Sequence, residues 1–177
     1  MISEQEFYNI EIELGISGKN PDYVNLTKQT LSQLAISFKT VLDYGAGMGV
    51  YSNTFHEAGF QVYVWEKFKV HRDHIRYNYP HLNIINEPIT TDLMLFIEVS
   101  EHMTDRQLNN LFNKIKPKYI LFSSTSEKQD NDDAWGHINI KTQDDWVRLF
   151  YSHDYRLLKH LKYPTEWTKL FELVNYK

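Results

Sequence analysis

Short apolar runs and segments with helical spacing follow one another along most of the chain, and this order is typical of an α/β fold. The run at 92–97 is apolar at nearly every position, as expected of a parallel strand that is buried on both faces. Between the runs, apolar residues recur every three or four positions, which predicts helices with one buried side. The predicted strands cover residues 41–44, 60–65, 82–85, 92–97, 119–122, 155–163 and 166–176.

Capping signals predict where several helices begin. Ser3-x-x-Glu6 and Thr104-x-x-Gln107 are capping boxes, in which two side chains satisfy free backbone N–H groups of the first turn. Asn20-Pro21 places an N-cap before a proline at the first helical position. The residues that form the predicted apolar face of the first helix are Phe7, Ile10 and Leu14.

The last two predicted strands and the segment at 123–136 depart from the regular alternation of strands and helices. The last two predicted strands are separated only by the turn at Pro164-Thr165, so they should form an antiparallel pair at the edge of the sheet. Residues 123–136 show little apolar pattern and predict a mobile loop over the site. The length of 177 residues suits a single domain with a proper core, 1–177.

The candidate chemistry begins in the segment Asp43-Tyr44-Gly45-Ala46-Gly47-Met48-Gly49, where a predicted strand meets a loop and then a helix. Glycines without Cβ let a ligand touch the backbone, and the following helix directs free N–H groups at a polar group. A dinucleotide site requires G-x-G-x-x-G, but the position of its third glycine holds Val50. The spacing therefore predicts a cofactor site and disfavours NAD.

With this D-x-G-x-G-x-G string the chain resembles the class I methyltransferases that depend on S-adenosylmethionine (SAM). The resemblance covers residues 39–177 and implies a Rossmann-like, seven-stranded, mostly parallel sheet with helices on both faces and an antiparallel C-terminal hairpin. It also implies that the helices of residues 1–38 cover the site. By the same resemblance, the residues that would hold the methionyl part of SAM are Asp43, Gly45, Ala46, Gly47 and Gly49.

Acidic residues at the ends of later strands extend the predicted cofactor site. Glu66 follows the second strand 23 positions after Asp43, close to the spacing of about 20 residues expected of a carboxylate that binds ribose hydroxyls. The alternative for Glu66 is an ordinary surface acid. The resemblance implies an adenine contact from Asn86 or Glu87 after the third strand, and a position near the methyl group for Glu98.

The string Glu98-Val99-Ser100-Glu101-His102 places two acids and a histidine where one helical turn would put them on one face. This set suits Mg²⁺, Mn²⁺ or a later transition metal. The E-x-x-E-H string resembles that of ubiquinone-biosynthesis O-methyltransferases and of small-RNA 2′-O-methyltransferases, and the second resemblance adds His137 as a fourth ligand. The family resemblance otherwise implies that the two histidines line the acceptor pocket, where His102 or His137 would be the general base. A third possibility is that His102 only caps local backbone. The histidines predicted on surfaces, turns or edge strands, without chemistry, are His56, His71, His74, His81, His153 and His160.

Composition narrows the function further. The net charge of −4 provides no global basic field, so nucleic acid is a possible but not a favoured partner. The chain contains no cysteine, and neither a signal sequence nor a membrane-spanning apolar run is predicted, so we expect a cytoplasmic protein with no membrane partner. The leading hypothesis is a methyltransferase that uses SAM on a hydroxyl of a small molecule or sugar. The alternatives are a metal-assisted RNA ribose 2′-O-methyltransferase and a non-catalytic SAM-binding partner or sensor.

Overall fold

A computed structural model of the protein describes residues 3–125 and 136–174. The helices are α1 (Glu4–Glu13), α2 (Pro21–Ser32), α3 (Val50–Glu57), α4 (Lys69–Asn78), α5 (Asp105–Lys114) and α6 (Gln143–Ser152). The strands are β1 (Thr40–Tyr44), β2 (Gln61–Trp65), β3 (Asn83–Ile84), β4 (Leu93–Ile97), β5 (Tyr119–Ser123), β6 (Tyr155–His160) and β7 (Lys169–Leu173). A short 3₁₀ helix, Ser100–His102, lies between β4 and α5.

The strands form one seven-stranded sheet in the order β3-β2-β1-β4-β5-β7-β6. The first five strands are parallel, whereas β7 runs antiparallel to both β5 and β6. The predicted α/β fold with an antiparallel C-terminal pair is therefore confirmed. The terminal strands are shorter than predicted, because residues 161–168 connect them, and β7 lies inside the sheet so that β6 alone forms this edge.

The sheet is buried on both faces, because successive side chains of a strand point in opposite directions. On one face, Val41 and Leu93 pack with Phe55 of α3 and Ile75 of α4. On the other face, the apolar side chains of the same strands pack against α5 and α6. The residues of that second core with the largest buried side chains include Phe96, Phe112, Phe122, Trp146, Phe150 and Phe171.

The first helix begins as predicted but presents a different face. Ser3 Oγ accepts a hydrogen bond from the Glu6 N–H, which confirms the capping box. Leu14, predicted to be inward, is 60% exposed, whereas Glu11 is only 8% exposed. The apolar spacing therefore gave the wrong inward face for the last turn, because a polar partner on another helix holds Glu11 inside.

Two further expectations concern the loop at 123–136 and the absence of membrane-spanning helices. Of the predicted loop at 123–136, residues 126–135 lie outside the described part of the chain. Within the part that the structure describes, none of the helices combines the length and the apolar character that crossing a bilayer requires.

Candidate functional site

The glycine loop joins the end of β1 to the start of α3 at the carboxyl edge of the sheet, and all three of its glycines have positive φ angles. At Gly47, with φ of 51°, the N–H donates to Glu66 Oε2 at 2.9 Å. At Gly49, with φ of 77°, a Cβ would approach Ile75 Cγ1 to 2.8 Å. The backbone conformation therefore favours glycine at both positions, and the closeness of α4 excludes a side chain at Gly49 as well.

Asp43 is buried beneath this loop and links β1 to α3. Its Oδ2 accepts a hydrogen bond from Ser52 Oγ at 2.6 Å. Burial raises the pKa of Asp43 to about 7; the hydrogen bond from Ser52 opposes this rise, and the charge of Glu66 adds to it. Asp43 thus contacts the first turns of α3 directly, while the glycines form the surface of the loop.

Glu66 lies at the end of β2, immediately beside the loop. Its Oε1 accepts from the Phe68 N–H at 2.7 Å, while the Gly47 N–H binds the other oxygen. Burial raises the pKa of Glu66, and the two backbone hydrogen bonds and the neighbouring His71 oppose this effect. The carboxylate predicted to bind ribose is therefore held by one backbone N–H of the glycine loop and by the N–H of Phe68, the N-cap residue of α4.

Asn86 and Glu87 follow β3, and both are exposed. The Glu87 carboxylate forms a salt bridge with Lys114 near the end of α5. Because this contact directs Glu87 towards α5, Asn86 is the better candidate of the two for the predicted adenine contact.

The acidic string after β4 does not form the predicted helical turn. Glu98 has a φ angle of 52°, in the left-handed region that is uncommon for a residue with a side chain, and the following 3₁₀ helix begins only at Ser100. The Glu98 carboxylate accepts hydrogen bonds from Ser123 and Thr125. The prediction that Glu98, Glu101 and His102 share one face of an α-helical turn is therefore wrong.

Glu101 is fully buried, with an exposed fraction of 0%. Its Oε2 accepts from Ser124 Oγ at 2.9 Å, while Oε1 has no hydrogen-bond partner among the described residues. Burial and the nearby charge of Glu98 raise the pKa of Glu101 well above its ordinary value. Its backbone carbonyl accepts from the N–H groups of Ile138 and Asn139, which holds the segment after His137 against the 3₁₀ helix.

Glu101, His102 and His137 each bring one potential ligand atom within 4.8 Å of the others. Burial, with the charge of His137, lowers the pKa of His102 to about 4, so its imidazole is neutral at pH 7. Two imidazoles and a buried carboxyl oxygen without a partner fit a divalent ion with mixed nitrogen and oxygen ligands. Glu98, the remaining predicted ligand, does not belong to this group of three.

Helix α1 covers the site and contacts both of its parts. The Phe7 ring packs against Phe68 and His71 beside the loop, and against His102 at a centroid distance of 5.8 Å. The Glu11 carboxylate forms a buried ion pair with His71 of α4. The contacts of α1 therefore span the region between Glu66 and the histidine pair.

Sequence reasoning missed Glu11 and placed His71 on a helix surface, whereas His71 is only 1% exposed. A signal was present for each, since Glu11 lies four positions after the inward Phe7, and His71 lies four positions before the buried Ile75. Because Glu and His are polar, apolar periodicity alone does not indicate that these two positions are buried.

Comparisons with known proteins show the family and the fold of the chain. A family model described as a methyltransferase domain matches residues 20–177, so α1 precedes the matched segment. The fold resembles that of a mitomycin 7-O-methyltransferase, with a TM-score of 0.61, 15% identity, and coverage of 87% of this chain and 54% of that one. It also resembles a SAM-dependent methyltransferase from Archaeoglobus fulgidus, with a TM-score of 0.59, 14% identity, and coverage of 79% of this chain and 73% of that one.

A third similar structure is a magnesium protoporphyrin IX methyltransferase from Synechocystis PCC 6803 with bound SAH, with a TM-score of 0.65, 11% identity, and coverage of 85% of this chain and 80% of that one. At these identities the structures show a shared fold. The chain spans about half the length of several structures that it matches, with 54% or 55% of each covered. No curated protein sequence matches the chain significantly.

Proposed function

The chain belongs to the class I SAM-dependent methyltransferase family, and from this premise we propose that it transfers a methyl group from SAM to a hydroxyl of a small molecule or sugar. The observation that carries the proposal is the position of the His102–His137 pair. Phe7 of α1 contacts both His102 of this pair and His71, which lies beside the glycine loop. A fixed carboxylate for the cofactor and imidazoles for a hydroxyl acceptor thus occur under one helix.

The residues at the loop fit the polar parts of SAM. Gly47 presents a bare Cα next to the Glu66 carboxylate, and a Cβ at this position would fill the space between the loop and α1. Glu66, held by two backbone N–H groups, keeps lone pairs for ribose hydroxyls, and Asp43 with the loop glycines supports the methionyl part. SAM supplies the methyl group on a sulfonium, which is already activated towards a nucleophile.

The histidine pair suits a hydroxyl acceptor. A neutral imidazole accepts a hydrogen bond from a hydroxyl, and removal of the proton makes the oxygen more nucleophilic. With a pKa of about 4, His102 is a weak base, so we assign it the role of orienting the hydroxyl and give the proton-accepting role to His137. The Phe7 ring makes an edge-to-face contact with His102 on this side of the site.

The test combines binding with turnover. Calorimetric titration should show one SAM bound per chain, and a screen with radiolabelled SAM should identify acceptors among phenols, catechols and sugars. We expect His137→Ala to reduce turnover on such an acceptor by a factor of about 10² or more, with an unchanged dissociation constant for SAM. His160→Ala, which removes an exposed histidine of the edge strand β6, is the matched control. Absence of SAM binding by the wild-type protein would contradict the proposal.

A second candidate is metal-assisted methylation, including that of a ribose 2′-hydroxyl at an RNA end, and the cluster of Glu101, His102 and His137 favours it. The protein groups fit a metal because His102 is neutral and the partnerless oxygen of Glu101 would give up its proton to coordinate. A bound ion would supply Lewis acidity that lowers the pKa of a coordinated hydroxyl. The net charge of −4 does not favour an RNA partner.

Titration of Mn²⁺ and Zn²⁺ into the wild type and into Glu101→Gln tests the metal directly. Saturable binding that the substitution weakens at least tenfold would support this second candidate. An absence of binding, together with turnover that is insensitive to chelators, would exclude it and leave the metal-free acceptor pocket.

A further inference from the structure

Glu11 of α1 is a buried acid with one oxygen paired and one oxygen free. Its Oε2 pairs with His71 Nε2, and both side chains are nearly inaccessible to water. Its Oε1 lies 3.1 Å from the position that a Cβ on Gly47 would occupy. The described residues form no hydrogen bond to this Oε1. The Glu11 side chain keeps 11% of its accessible surface, so a ligand beside Gly47 can reach this unused acceptor.

Gly47 is the point at which two carboxylates converge. Glu66 accepts a hydrogen bond from the Gly47 N–H at 2.9 Å, and Oε1 of Glu11, on α1, lies 3.1 Å from the position of a Cβ on the same residue. The charge of Glu11 contributes to the raised pKa of Glu66, which is further evidence that the two groups are close. His71 lies beside both acids and compensates part of their repulsion. A neutral ligand with two adjacent hydroxyl donors would satisfy both carboxylates.

We propose that Glu11 is a further cofactor-binding residue, whose Oε1 accepts a hydrogen bond from a ribose hydroxyl of SAM beside Glu66. His71 is then a positioning residue, because it binds the other oxygen and fixes the direction of the carboxylate. The inference rests on the proposed use of SAM. It assigns to α1, which precedes the segment matched by the methyltransferase domain, a direct part in cofactor binding.

The test uses two ligands that share the ribose. SAM carries the amino-acid part, and 5′-methylthioadenosine lacks it while keeping both ribose hydroxyls. We expect Glu11→Gln to weaken both ligands about tenfold in calorimetric titrations, because a hydrogen bond to a charged group is lost. Glu13→Gln removes the same charge from an exposed position of the same helix and should leave both affinities unchanged.

A second variant guards against misfolding of α1. Glu11→Asp keeps the charge but withdraws the carboxylate by one methylene group, so it should also weaken both ligands. The effect of His71→Gln on affinity should be largely absent once Glu11 is replaced, because a positioning residue acts through the residue that it holds.

Each outcome is decisive. Equal loss of both ligands in the Glu11 variants supports the ribose contact. Loss of SAM alone overturns it in favour of a contact with the amino-acid part, and unchanged affinity for both ligands overturns any role in binding. If the wild type binds neither ligand, the proposed function fails together with this inference, whereas wild-type binding with unaffected variants refutes the inference alone.

Discussion

Replacement of Asp43 by Asn measures how much the ionised carboxylate beneath the glycine loop lowers the free energy of unfolding. Burial raises the pKa of Asp43 from an ordinary value of 3.8 to about 7. At about 1.36 kcal/mol for each tenfold change in the acid constant, a rise of the pKa from 3.8 to about 7 corresponds to about 4 kcal/mol of destabilisation once the group is ionised. Asn has nearly the same shape and can still accept the hydrogen bond from Ser52, but it cannot ionise.

The sign of the effect follows from proton linkage. The folded protein holds a proton on Asp43 between pH 3.8 and about 7, while the unfolded chain has released it. The contribution of this group is therefore most favourable at low pH and is lost as the pH rises through 7. We expect Asp43→Asn to be more stable than the wild type by an amount that grows with pH and reaches about 4 kcal/mol near pH 8.

The assay is urea unfolding of both proteins at pH 5, 6, 7 and 8. Asp92→Asn serves as a control of opposite sign. The Asp92 carboxylate accepts hydrogen bonds from the backbone N–H groups of Lys39 and Thr40, and its pKa is lowered although burial acts in the other direction. The ionised Asp92 carboxylate stabilises the folded protein above pH 3.8, and this stabilisation is lost as the pH falls through the lowered pKa. Asp92→Asn should therefore be less stable than the wild type at every tested pH.

A constant difference between Asp43→Asn and the wild type from pH 5 to pH 8 would refute this reasoning. It would mean that the carboxyl is solvated in the folded protein, or that a cation compensates it. A variant that is less stable at every pH would instead show that the negative charge stabilises the loop.

Two further predictions concern Gly47 and His71, which lie beside helix α1. Gly47→Val should weaken SAM binding at least about tenfold and lower the free energy of unfolding by about 1–3 kcal/mol, because the position has a φ angle of 51° and a Cβ would meet Glu11. An unchanged calorimetric affinity for SAM would contradict the loop assignment. Burial lowers the pKa of His71, but Glu11, Glu66 and Glu4 together raise it more, so the net shift is upward from 6.5. The stabilisation by the protonated ring is therefore present below pH 6.5 and is lost as the pH rises through the raised value. Thermal unfolding should therefore show a decline above pH 6.5 that His71→Gln flattens.

The features that could be predicted from the sequence are those that depend on neighbouring residues. Strands β1, β2 and β4 follow from apolar runs, and Ser3 and Thr104 each cap a helix as the local signal indicates. The glycine loop and Glu66 could be predicted because the glycine spacing and the acid that follows the next strand lie within about 25 residues of each other in the sequence. The family match supports this part of the interpretation, while the roles of the individual residues stay predictions.

The features that could not be predicted depend on contacts between distant segments. Glu98 takes a left-handed conformation that local sequence gives no reason to expect, and this removes it from the predicted helical face. Glu11 is buried because its partner His71 lies 60 positions later, on a helix that packs against α1. A charged residue in an amphipathic pattern is expected at the surface until that partner is known.

Helix α1 connects the two halves of the candidate site through residues one turn apart. Phe7 packs over His102 on the acceptor side, and Glu11 reaches Gly47 on the cofactor side. Because both residues lie on one helix, the proposed function predicts that a displacement of α1 would affect cofactor binding and the histidine pair together. The ion pair between Glu11 and His71, the Tyr8–His74 hydrogen bond and the hydrogen bond from the Lys69 N–H to Glu4 hold α1 against α4.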